Sequence, residues 1–188
     1  MLAQWPKQRF SAAWFWALAM ALLGLAGLVG GIDHGFIEPA GLSRTAIRRF
    51  NWILLGAMTL CVVLTIAAQF FRGRAARLVA VAGGLQFLAF VAAVFAMPSF
   101  LVVIVNYAPV MLCFLALNVL RLRSGEGSLP MVAGTLTLFA ASAVQALRID
   151  HWSPLDHNGL YHVISMPGVL LLFLGGRRLR TQRMQGMD

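Results

Sequence analysis

The chain has 188 residues, of which 60% are hydrophobic and 11% charged, and a formal charge of +9. A soluble domain carries about 25% charged residues, so this composition excludes one, and several apolar runs reach the ~20 residues that cross a bilayer. The basic residues fall in short loops between those runs, so membrane topology explains the positive charge and nucleic-acid binding does not.

Six spans are expected, forming a single transmembrane domain over residues 1–188: an all-α, polytopic membrane helix bundle. Lys7 and Arg9 precede an apolar run from Ser11 to Gly31. That run is longer than a signal-peptide core and has no clear cleavage site, so it is read as a retained first span, about 11–32. Within it, Gly27 and Gly31 have the small-xxx-small spacing that lets a second helix approach closely. Residues 33–50 form the first long loop. Pro39 turns Glu38 away from helix, and Ser43 can cap a new helix carrying Arg44, Arg48 and Arg49.

The second span is about 51–71, closed by Arg72 and Arg74, and the third about 77–97, closed by Pro98. The fourth is about 100–120, interrupted in one half by Asn106-Tyr107-Ala108-Pro109 and closed by Arg121 and Arg123. The fifth is about 129–148. The sixth begins near Ser153, with Ser153 as cap, Pro154 in the first helical position and Asp156 in the third, and runs to Gly175-Gly176. Cys61 and Cys113 lie inside spans and read as small apolar residues. Gln86 and Asn118 are expected to pack between helices. Asn106, Ser142 and Gln145 either do the same, for about 0.6–2 kcal/mol each, or line a cavity.

Orientation follows from lysine and arginine. Eleven of the fifteen fall on one side of the membrane (Lys7, Arg9, Arg72, Arg74, Arg77, Arg121, Arg123, Arg177, Arg178, Arg180 and Arg183). Four (Arg44, Arg48, Arg49 and Arg148) fall on the other. The richer side is expected to be cytoplasmic, with both termini there. All four histidines, His34, His151, His157 and His162, then lie toward the external side, as do Asp33, Glu38, Asp150 and Asp156.

With the sixth helix counted from Pro154, His162 sits about 12 Å below its start. An ionisable group at that depth is a functional-site hypothesis. Three imidazoles and a water make a catalytic zinc site, and His34, at the end of the first span, is the natural third ligand beside His157 and His162. Asp33, Asp150 or Asp156 would act as base or would orient an imidazole, with Ser142 or Ser165 assisting. His157 and His162 are five residues apart, ~140° around an ideal helix, so sharing one ion requires a loosened helix. The plain alternative is that His, Trp and Tyr anchor the helix at the headgroup level while Asp156 caps it.

Gly30-Gly31-Ile32-Asp33-His34-Gly35-Phe36 at the end of one span, with Asp156-His157-Asn158-Gly159-Leu160-Tyr161-His162 opening the last, resembles bacterial members of the CREST superfamily. That group includes the alkaline ceramidases and the adiponectin/progestin receptors. The resemblance implies a zinc-dependent hydrolase in the bacterial inner membrane. His34 would be the early ligand, His157 and His162 the late pair, and a serine and an aspartate would assist. It implies membrane lipids and a lipid-like amide or ester substrate as partners. The sequence departs from the pattern in having six spans instead of seven, in placing four residues between the late histidines instead of three, and in lacking an aspartate in the second span. Two rivals stand beside the hydrolase. One is a haem- or metal-binding redox subunit with His34 and His162 as axial ligands. The other is a non-enzymatic subunit that associates with other membrane subunits.

Overall fold

The computed structural model describes residues 9–150 and 155–179. Among them the chain is all-helical: α1 Ala12–Ile32, α2 Thr45–Phe70, α3 Gly73–Ala96, α4 Leu101–Leu120, α5 Leu129–Ala146 and α6 His157–Gly176. All six are long and apolar enough to cross a membrane, and the protein is a multi-pass membrane protein. The exposed surface agrees. On α3, Leu78, Val81, Leu85 and Leu88 recur at three- and four-residue intervals and are each at least 60% exposed. Lipid tolerates such a stripe, whereas water does not.

The chain divides into two compact units, the first running to Leu112 and the second from Cys113 to Leu179. In the first, α2 packs against α1 and α3. Phe90 and Val94 of α3 meet Val102 and Val103 of α4, flanked by Trp52, Ile53 and Leu55 of α2. Gly56 makes room for the Phe90 ring, which would collide with any β-carbon there. In the second unit α5 packs on α6 through glycines: a β-carbon on Gly134 would lie 2.8 Å from the Gly168 carbonyl oxygen, and one on Gly175 would lie 2.7 Å from Met131. Asn118 closes the α4–α5 turn. Its Nδ2 donates to the Phe114 carbonyl at 2.9 Å, and its Oδ1 accepts the Ser128 N–H at 3.1 Å.

Four local expectations change. First, α1 does not end in a loop at residue 33. It continues as a π-helical turn, Asp33–Ile37, with the Glu38 N–H bonded to the Asp33 carbonyl at 2.8 Å. Arg44, and not Ser43, occupies the cap position of α2, without a side-chain cap. Its guanidinium is drawn to the carboxylates of the π-turn instead.

Second, α4 passes through Pro109 without a break. Proline removes one backbone donor, and a span tolerates this where a neighbouring side chain re-satisfies the freed groups. Separately, Gln86 of α3 donates to both the backbone and side-chain oxygens of Asn106, at 2.9 and 3.0 Å, three residues before the proline. Gln86 and Asn106 are thus a packing pair.

Third, α6 starts at His157, capped by Asp156, whose Oδ1 accepts the Gly159 N–H at 2.8 Å. Ser153 and Pro154 lie outside the described residues, as does His151. His162 is therefore five residues into the helix, roughly 7.5 Å and not 12. Fourth, β-carbons on Gly27 and Gly31 would meet nothing within 4 Å. Close helix packing in this chain is carried by other glycines.

Candidate functional site

The polar residues form two clusters, one in each unit. In the first, the π-turn widens the end of α1 so that Asp33 turns inward while His34 and Glu38 face out. Asp33 and Arg44 form a fork-to-fork pair: Nε to Oδ1 at 2.8 Å and Nη2 to Oδ2 at 2.8 Å. Their side chains are only 7% and 12% exposed. Arg48 adds a weaker contact to Asp33 at 3.7 Å, and Arg44 Nη1 also bonds Glu38 Oε1. Bidentate, charge-assisted pairing of this kind is the strong form of an ion pair.

Glu38 passes the network on to His34, with His34 Nδ1 2.7 Å from Glu38 Oε2. A carboxylate only accepts, so in this contact Nδ1 is the donor. Arg44 Nη2, a donor only, lies 3.1 Å from the same Nδ1, so the two contacts call for opposite tautomers of His34. The His34 hydrogen bond and, after it, the neighbouring Arg44 hold the Glu38 carboxyl below the usual glutamate range. Asp33 and then Glu38 raise Arg44 further above its usual value. Nearby on α2, Asn51 Oδ1 is buried without a hydrogen-bond partner.

In the second unit, Asp150 Oδ1 accepts twice from His157, from its backbone N–H at 2.7 Å and from Nδ1 at 2.8 Å. His157 thus has a carboxylate oxygen on Nδ1, as His34 has. His162 lies on the exposed side of α6, edge-on to Tyr161 at 5.0 Å between ring centroids. Because α6 is regular over His157–Gly176, His157 and His162 point ~140° apart. Ser142 is half-buried, one turn before the end of α5, at the same end of the α5–α6 hairpin as the histidines. Ser165 donates its hydroxyl to the Tyr161 carbonyl at 2.7 Å.

The structure thus joins His34 to Glu38, Asp33 to Arg44 and His157 to Asp150. It does not put His157 and His162 on one face. Among the described residues, no three His, Cys, Asp or Glu side chains converge in a group able to hold a metal ion. Arg44, which organises the first cluster, reads from sequence as a topology signal. The one clue to its role was two acids within eleven residues of it on an otherwise acid-poor chain.

The chain belongs to a family of unknown function, DUF6962, whose model matches residues 1–181. No curated protein and no solved structure matches it.

Proposed function

We propose that this member of the family is a metal-dependent hydrolase of a lipid amide or ester, CREST-like, in the bacterial inner membrane. Its termini would be cytoplasmic and its histidines toward the external face. The observation that supports this reading is the matching state of His34 and His157. Each imidazole has Nδ1 engaged by a carboxylate, Glu38 in one case and Asp150 in the other. Ligating histidines carry this arrangement, in which the partner fixes the tautomer and raises the basicity of Nε2. The donor chemistry of these two residues fits zinc. His162, on another face of α6, fits a shared site with His157 less well.

Zinc supplies Lewis acidity and a water of lowered pKa when bound. The chain's own residues do the rest. Glu38 and Asp150 hold the two imidazoles. Of the three candidate bases, Asp33 has both oxygens on Arg44 and Asp150 is committed to His157. Asp156, exposed and using Oδ1 as a cap, is the candidate base that holds neither an arginine nor an imidazole. Ser142 is the better assisting hydroxyl, since Ser165 is already bonded to backbone. A site embedded in the membrane would select amphiphilic substrates.

Metal analysis of purified wild type beside His34→Ala, His157→Ala and His162→Ala tests the reading, together with hydrolysis of fluorescent N-acyl and O-acyl lipids. Zinc in the wild type that is lost from His34→Ala and His157→Ala is expected. Equal metal in all four proteins overturns the proposal. A visible haem band in place of zinc overturns it in favour of the redox reading.

A further inference from the structure

The turn between α2 and α3 consists of Phe71 and Arg72 alone. Arg72, Arg74 and Arg77 are all exposed there. None has an ion-pair partner among the described residues: Asp33 and Glu38 pair with Arg44, Glu126 with Arg121 and Asp150 with His157, and Asp156 caps α6. The contrast with α2 is direct. The arginines at the start of α2 face Asp33 and Glu38, whereas the first turn of α3 has no acidic residue. Three cations gathered at the positive end of a helix dipole repel that end and one another. Among the described residues the cluster has no ion-pair partner.

A second feature continues from it. On a helix of 3.6 residues per turn, Arg74, Arg77, Leu78, Val81, Leu85 and Leu88 fall within an arc of about 100°. The four apolar members are 70%, 60%, 63% and 65% exposed in chain order. From Arg77 to Leu88 the track is about 16 Å long at 1.5 Å per residue, close to half of a ~30 Å hydrocarbon core. Arg74 and Arg77 therefore stand above an apolar track one leaflet deep on one face of α3, with Arg72 in the turn just before the helix.

We propose that this face of α3 binds an anionic phospholipid, its phosphate held by Arg72, Arg74 and Arg77 and its acyl chain lying along Leu78, Val81, Leu85 and Leu88. Guanidinium forks match phosphate oxygens two at a time, and basic clusters beside a span draw anionic headgroups. The inference is independent of the hydrolase reading, because it concerns the other end of the helices and no residue of either histidine cluster.

The test uses the full chain in nanodiscs of phosphatidylcholine containing a minor fraction of phosphatidylglycerol, with retained lipids counted by native mass spectrometry. Wild type is expected to retain phosphatidylglycerol above its share in the disc. R72Q/R74Q/R77Q is expected to fall to that share, while R121Q/R123Q, which removes charge at a different turn, stays enriched. If the triple variant does not purify, R77Q alone is read and is expected to lie below wild type. Lipid retained in simple proportion to the disc, or enrichment equal in wild type and the α3 variant, overturns the proposal. So does displacement of the lipid by excess inorganic phosphate, which would mark a site for free anion.

Discussion

Replacing Gly134 with alanine puts a methyl carbon 2.8 Å from the Gly168 carbonyl oxygen and 2.9 Å from Leu172 Cγ. The oxygen belongs to the backbone of α6 and cannot rotate away, so the two helices must separate locally. Overpacking of this kind costs about 1–3 kcal/mol. Removing a glycine from a helix returns about 0.5–1 kcal/mol. The net is a loss of about 1–2 kcal/mol, and at roughly 2–4 °C per kcal/mol for a chain of this size the melting temperature falls by several degrees. Thermal unfolding of the purified protein in detergent reads this directly. Gly27→Ala and Gly31→Ala are the internal controls: their β-carbons meet open space, so neither is expected to lower the melting temperature. If Gly134→Ala melts with the wild type, or if the Gly27 and Gly31 variants fall with it, the assignment of the close-packing glycines is wrong.

Asn118→Ala removes both bonds that close the α4–α5 turn and leaves the buried Ser128 N–H without its acceptor. A buried unsatisfied group costs about 1–3 kcal/mol, to be seen as a lower midpoint of unfolding and faster hydrogen exchange at Ser128. The π-turn should respond to acid in a defined direction. Glu38 titrates below the usual glutamate value, so its contribution is complete above that value and is lost only as the pH falls through the depressed one. Followed by the Glu38 side-chain carbon resonance in metal-free protein, the transition should lie below that of an unpaired glutamate and move upward in Arg44→Gln. An unshifted titration refutes the network.

The six spans were legible because lipid leaves few alternatives: a backbone in hydrocarbon must bond to itself, and a helix of ~20 apolar residues is the form that does so. Boundaries were less legible where side chains from different helices decide them. Pro109 reads as a break in any single-chain pattern, yet α4 runs through it, and the partner that Asn106 finds in Gln86 lies on another helix. The Gly27–Gly31 spacing has the form of a packing motif, yet the glycines that pack are Gly134, Gly168 and Gly175. Spacing reports that an approach is sterically allowed, and the partner's position determines whether it occurs.

For the candidate site, the clustering of histidines and acids was visible in the sequence, but their pairing was not. Spacing alone directed attention to His157 and His162, whose five-residue step is awkward for a shared ligand. The folded chain offers a different pairing rule. His34 reaches Glu38 four residues on, across a π-turn that no hydrophobic period signals, and His157 reaches Asp150 seven residues back, across a loop. Two unlike local geometries thus arrive at one arrangement, a carboxylate oxygen 2.7 or 2.8 Å from Nδ1. Helix anchoring at a headgroup boundary requires only the bulk and polarity of the ring. It does not require a carboxylate on the same nitrogen in two independent segments, and that convergence favours a chemical use of the imidazoles over an anchoring one.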